Sequence, residues 1–144
     1  VGVGVGAGVG VAQASALRGW LTTPRQWVFA STAGMGGLFV VHDVVSALGV
    51  GVPYSLPAYV VAGAALTGVW QAALLREASP KARWWTLGSI VGWSVPAAAI
   101  AIGDTGLAAG FGDILATGAI LLGGTMVGAA SGGILRWILV AARA

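Results

Sequence analysis

Charged residues interrupt this chain so rarely that it cannot fold as a water-soluble domain. It runs 32 residues without a charged side chain between Asp43 and Arg76, 20 between Arg83 and Asp104, and 22 between Asp113 and Arg136. A helix needs about 20 apolar residues to cross a hydrocarbon slab about 30 Å thick, so runs of this length read as membrane spans. Only 8% of the 144 residues are charged and 58% are apolar, against about 25% and about 45–50% in soluble domains. A chain of 144 residues holds five or six such crossings and no sizeable soluble domain. The expected fold is all-α, a polytopic transmembrane helical bundle forming a single domain over 1–144.

Apolar runs bounded by charges or by Pro/Gly clusters set the helices at 2–18, 26–48, 57–76, 83–102 and 112–140. In this layout Arg18, Arg25, Arg76, Lys81, Arg83, Arg136 and Arg143 all fall on one side of the membrane. His42, Asp43, Asp104 and Asp113 fall toward the other. Glu77 shares the basic side, where its i,i+4 spacing to Lys81 predicts a helical partner. By the positive-inside rule the basic side is cytoplasmic, which puts the N-terminus outside and the C-terminus inside. The first apolar run has no basic segment before it, so it is expected to be a span and not a cleaved signal peptide, and five helices are a minimum. The net charge of +3 does not point to nucleic acid, because the cations sit at the ends of apolar runs. The absence of cysteine excludes disulfides, thiolate metal sites and a cysteine nucleophile.

Aromatic residues fit the same layout, since Trp and Tyr prefer the headgroup level. Trp20, Trp27, Trp84, Trp85 and Trp137 flank the basic turns, and Tyr54, Tyr59 and Phe111 the acidic ones. Trp70 and Trp93 are expected roughly 9–12 Å deeper, where an indole N–H needs a partner and the ring can wall a groove for an apolar ligand.

The chain also repeats itself. Residues 5–36 align with 63–94 without a gap, with 11 of 32 positions identical at an offset of 58. Gly10, Gln13, Leu17 and Arg18 match Gly68, Gln71, Leu75 and Arg76; Arg25, Trp27, Ser31 and Gly34 match Arg83, Trp85, Ser89 and Gly92. A partial third copy near 123–137 keeps Gly128, Ser131, Leu135 and Arg136 in the same spacing. Helices 1, 3 and 5 run in one direction in the five-helix layout, so the copies are parallel repeats and not the inverted repeats of many alternating-access carriers.

The pattern G-x-x-Q-x-x-x-L-R, a short basic turn, then Trp85 and Gly92-Trp93, resembles multi-pass bacterial membrane proteins with tandem repeats of this kind. The likeness covers about residues 5–96, with an echo at 128–137, and this chain departs from it in having Ala where a Trp follows each Gln. That group has no assigned activity and is frequent in phototrophic bacteria. The resemblance implies a bacterial inner membrane, or an internal membrane derived from it, and no catalytic residue.

Few polar residues remain for chemistry. Glycines four apart, such as Gly2, Gly6 and Gly10, Gly106 and Gly110, and Gly124, Gly128 and Gly132, are expected to let helices approach closely. Gln13 and Gln71 lie five residues inside the Arg of their helices, and a carboxamide in hydrocarbon must find partners. The first expectation is an interhelical clamp with Ser31, Ser89 or Trp93, each bond contributing about 0.6–2 kcal/mol. The alternative is a water or ion path lined by Gln13, Gln71 and Ser89. Arg18, Arg76 and Arg136 are expected to snorkel to lipid headgroups or to form a basic rim for an anionic lipid or partner protein. His42 is a structural or water-facing histidine, with ligation of a pigment or haem as the sharper reading. Its neighbour Asp43 projects about 100° away around the helix, so the two are not expected to pair.

Lys81, the only lysine, lies in a turn, which excludes a retinal Schiff base within the membrane. No Ser/His/Asp triad, paired intramembrane carboxylates or H-E-x-x-H motif occurs. The expected function is therefore non-catalytic: a structural or assembly subunit of a larger membrane complex, photosynthetic or respiratory. A small channel or carrier, or a binder of pigment, quinone or lipid, are the alternatives. The expected partners are the bilayer and other membrane subunits or a second copy, with no required cofactor.

Overall fold

A computed structural model describes residues 2–50, 52, 55–104 and 131–140 of the chain. The described residues contain helices and turns and no strand. The helices are α1 (Gly2–Ala16), α2 (Pro24–Ala47), α3 (Ser55–Leu75) and α4 (Trp84–Asp104), followed by α5 (Ser131–Val140). A short 3-10 helix, Pro80–Arg83, leads into α4. Three spans are long and apolar enough to cross a membrane: α2, α3, and the stretch Pro80–Ile102 that includes α4. At their described lengths α1 and α5 are shorter. The 15 residues of α1 reach about 22 Å at 1.5 Å per residue.

The ends of these helices follow from local chemistry. Pro24 opens α2, where its missing N–H is one that the first turn leaves unbonded in any case. At the other end Gly49 has φ +73. Its N–H donates to the Ser46 carbonyl at 3.0 Å, and Val50 N–H donates to the Val45 carbonyl at 3.2 Å. This is the left-handed glycine cap that closes the last carbonyls of a helix. Ser79 caps the 3-10 helix by accepting from Lys81 N–H at 3.3 Å.

Successive helices α1 to α4 pack in order, joined by short turns, so neighbours are antiparallel and α1 runs with α3. The α1–α2 turn meets the α3–α4 turn where Thr22 Oγ1 donates to Glu77 Oε2 at 2.8 Å. The end of α5 joins them: Ser79 Oγ donates to the Ile138 carbonyl at 2.8 Å, and Lys81 Nζ lies 4.4 Å from the Trp137 ring centroid. Six cations, Arg18, Arg25, Arg76, Lys81, Arg83 and Arg136, therefore gather at one end of the bundle. His42 and Asp43 lie in the closing turns of α2, toward the other end.

The pairing of Glu77 differs from the expected helical one with Lys81. The α-helix stops at Leu75 and the chain turns, so the i,i+4 geometry does not exist there. Glu77 reaches Thr22 instead, and Lys81 covers Trp137.

The distribution of side chains is the reverse of a soluble protein's. Ser31, Thr67, Gln71, Ser79, Ser89 and Ser131 are buried, while Phe29, Leu66, Val69, Leu87 and Ile102 are exposed. Lipid is as apolar as leucine, so burial of Leu drives nothing there, and close packing and interhelical hydrogen bonds hold the helices together. A core of Leu17, Trp27, Leu75, Trp85, Leu135 and Ile138 lies toward the basic end. Leu17, Leu75 and Leu135 are the leucines preceding Arg18, Arg76 and Arg136, and all three are buried, one from the turn after α1, one from the end of α3 and one from α5. Gly132 is exposed, and a Cβ there would meet nothing within 4 Å among the described residues. Gly106, Gly110, Gly124, Gly128, Asp113, Tyr54 and most of the fifth expected helix lie outside the described residues.

Candidate functional site

A glutamine carboxamide brings two donor hydrogens and an acceptor oxygen, and leaving them unbonded away from water costs several kcal/mol. In this bundle the two glutamines satisfy each other and two tryptophans. Trp85 Nε1 donates to Gln71 Oε1 at 2.8 Å, and Trp27 Nε1 donates to Gln13 Oε1 at 3.2 Å. Gln71 Nε2 donates to Ser31 Oγ at 2.7 Å and, at a longer 3.4 Å, to Gln13 Oε1. Ser31 Oγ in turn donates to its own helix at the Trp27 carbonyl, 3.0 Å away. The indole rings of Trp27 and Trp85 lie 5.8 Å apart at an angle of 42°. Four residues from α1 and α2, Gln13, Trp27, Ser31 and Met35, thus meet Gln71 of α3 and Trp85 of α4 around one point.

The close approach that permits this depends on glycine. A Cβ on Gly10 would stand 2.8 Å from Ser31 Cβ, and one on Gly68 would stand 2.9 Å from Ser89 Cβ. These are matched positions at the 58-residue offset, as are the two Gln–Trp bonds, each linking residues 14 apart. The serines then diverge: Ser31 receives Gln71, whereas Ser89 Oγ donates across the interface to the Ala64 carbonyl at 2.9 Å.

Beside the cluster lies a cavity of about 10 Å³ bordered by Gln13, Thr67, Gln71, Trp93 and Ser131 among others. Residues from all five helices reach it. Ser131 of α5 occupies the place in its copy that Gln13 and Gln71 hold in theirs. Thr67 Oγ1 is buried without a hydrogen-bond partner, set against the backbone of Gly34.

The remaining candidate residues stand apart from this cluster. Arg18, Arg76 and Arg136 are exposed at the basic end. Arg18 and Arg25 border a groove of about 370 Å³ whose walls include Val11 and Val28. His42 sits edge-on to Tyr59 at 5.5 Å. Its Nδ1 approaches Asp43 Oδ1 to 3.5 Å, closer than their angular separation on the helix suggests. The geometry is not that of a hydrogen bond, and Nδ1 is buried without one. Trp70 faces outward, edge-on to Phe29 at 5.5 Å, while Trp93 borders the inner cavity, so the two line different surfaces. The described residues contain no group of three or more His, Cys, Asp or Glu able to hold a metal ion.

Trp27 and Trp85 depart most from expectation. Both lie near basic turns, as headgroup tryptophans do, yet they are 0% and 1% exposed. Their rings turn inward because each has a glutamine acceptor within reach. A Gln…Trp pair recurring at a 14-residue spacing in both copies was the available signal for that bond. Nothing comparable in the sequence marks Thr67 or Ser79, whereas Ser131 was marked by its place in the third copy. Compared with protein-family models, with curated proteins and with solved structures, the chain matches none.

Proposed function

We propose that this chain is a non-catalytic structural or assembly subunit of a larger membrane complex, built from two parallel helical hairpins and half of a third. It crosses the membrane five times, with its N-terminus outside and its basic end at the cytoplasmic face of a bacterial inner membrane or a membrane derived from it. The observation that carries this reading is how its intramembrane polar groups are used. Gln13, Gln71, Ser31, Trp27 and Trp85 are bonded to one another, and the cavity beside them is about 10 Å³, room for about one water. A clamp of this kind holds helices in register and, among the described residues, leaves no open polar path for an ion. The outer faces carry Phe29, Leu66, Val69 and Leu87, suited to lipid or to another apolar helix.

Of the alternatives, lipid binding has a specific observation in its favour. The groove between α1 and α2 has arginines at its mouth and valines along its walls, a pattern that matches an anionic headgroup above an acyl chain. The basic rim of Arg18, Arg76 and Arg136 extends the same chemistry around the bundle.

The test is purification in mild detergent together with reconstitution. A structural subunit elutes with other membrane subunits at fixed stoichiometry, and alone in liposomes it conducts no ions. A chain that elutes alone and conducts ions in liposomes overturns the proposal.

A further inference from the structure

The seam between α2 and α3 and the seam between α4 and α5 occupy matched places in the repeat, yet they are filled differently. Between α2 and α3, Phe29 and Trp70 meet edge-on at 5.5 Å. At the 58-residue offset Phe29 becomes Leu87, and between α4 and α5 there is an open groove of about 220 Å³. Gly88 lies where these two helices approach closely, since a Cβ there would stand 2.7 Å from Ile134 Cδ1. Leu87 and Val91 line the groove, with Trp84 and Trp137 toward its basic end, and all four are exposed.

Each of the two tryptophans carries a cation. Lys81 Nζ lies 4.4 Å from the Trp137 ring centroid, and Arg83 Cζ lies 5.7 Å from that of Trp84. No acidic side chain borders the groove, and Glu77 on the neighbouring turn is bonded to Thr22. Val91 is seven residues beyond Trp84, about 10 Å farther along the helix. The groove is therefore positive at its mouth and apolar below it.

We infer that this groove is a binding site for one anionic phospholipid of the leaflet at the basic end. Lys81 and Arg83 hold its phosphate, and an acyl chain lies over Leu87 and Val91 between α4 and α5. An ammonium has three donor hydrogens and a guanidinium five, so contact with a ring face leaves donors for the phosphate oxygens. Two cations with no acid between them favour a headgroup of net negative charge over a zwitterionic one. A helix about 10–12 Å across with its side chains needs several times the volume of this groove, which suits a single chain. The site is separate from the groove between α1 and α2, and it does not depend on the subunit reading above.

The experiment is native mass spectrometry of the full chain in mild detergent, with phosphatidylglycerol or phosphatidylcholine added at equal concentration. The natural protein is expected to retain several-fold more phosphatidylglycerol, and the Lys81→Gln, Arg83→Gln double variant several-fold less of it than the natural protein. Val91→Trp fills the groove without removing a charge and is expected to lower retention likewise. Unchanged phosphatidylglycerol retention in either variant overturns the inference. Loss in Arg18→Gln, Arg25→Gln alone assigns the lipid to the groove between α1 and α2 and also counts against this one. A second measurement needs no variant: brominated phosphatidylglycerol is expected to quench tryptophan fluorescence more than brominated phosphatidylcholine at the same mole fraction. Equal quenching by the two lipids overturns the inference.

Discussion

Trp85 donates its indole N–H to Gln71 at 2.8 Å, and this one bond joins α4 to α3 at a point where both side chains are sealed from lipid. Gln71 also donates to Ser31, so the residue links three helices. Replacing it with leucine strands the Trp85 donor and removes the partner of Ser31. A buried group left unsatisfied costs about 1–3 kcal/mol. Gln71→Leu is expected to lower the melting temperature in detergent by more than Gln13→Leu, because Gln13 is only partly buried. Equal melting temperatures for the natural chain and Gln71→Leu would show that the bond contributes nothing.

Two glycines on the same helix make opposite predictions. A Cβ at Gly6 would lie 2.7 Å from the Ser31 carbonyl oxygen and 3.1 Å from Thr32 Cα, whereas Gly8 has nothing within 4 Å. Gly6→Ala must push α1 away from α2 and is expected to destabilise by about 1–3 kcal/mol. Gly8→Ala is expected to leave stability unchanged or raise it by up to about 1 kcal/mol through helix propensity. Thermal unfolding of both variants checks this, and a reversed order contradicts the α1–α2 packing.

Fluorescence separates the two classes of tryptophan. Trp70, Trp84 and Trp137 are 43%, 44% and 50% exposed, while Trp27 and Trp85 are at most 1%. Trp20 and Trp93 are half-buried, so the test variant replaces them as well. Brominated lipids should quench the natural protein strongly and a variant with Trp20, Trp70, Trp84, Trp93 and Trp137 all changed to Phe weakly. Undiminished quenching in that variant would place Trp27 and Trp85 against lipid.

Ser79 is 2% exposed and holds the end of α5 through the Ile138 carbonyl at 2.8 Å. Ser79→Ala is expected to cost about 1 kcal/mol and to act locally. Amide hydrogen exchange should rise in 131–140 and stay unchanged in α1 and α2. Uniform acceleration across the bundle would mean that α5 is not tethered separately.

Arg18 and Arg25 share the mouth of one groove. Replacing both with glutamine should reduce the phosphatidylglycerol retained in native mass spectrometry and leave phosphatidylcholine unaffected, since only the former carries net charge. An equal loss of both lipids, or of neither, removes the anionic-lipid reading of this groove.

Much of the helical framework was legible from local pattern. Apolar runs bounded by charges or by Pro/Gly clusters locate α2, α3 and α4 to within a few residues, because a span excludes most charge and a turn at the surface carries it. The end of α2 before Gly49 was legible for a different reason, since glycine enters the left-handed conformation of a helix cap without strain; the helix starts at Pro24, two residues before the expected 26. The Glu77 partner was not legible, because the i,i+4 rule holds only inside a helix and the helix stops at Leu75. The inward tryptophans were not legible either. A Trp one turn into a span satisfies the headgroup preference and the burial preference equally, and only the rotation of its helix separates the two.

The sequence by itself determined where α2, α3 and α4 run, that Arg18, Arg25, Arg76, Lys81 and Arg83 border their turns, and that Gln13 and Gln71 occupy matched positions 58 residues apart. Those are properties of local runs and spacings. Which donor meets which acceptor was decided only by the tertiary structure. Hydrogen bonds act over about 3 Å, so the pairing of Gln71 with Ser31 and Trp85 requires α2, α3 and α4 to be rotated and brought close together. The glycines at 10 and 68 allow the close approach of each helix pair, but the rotation belongs to the assembled bundle.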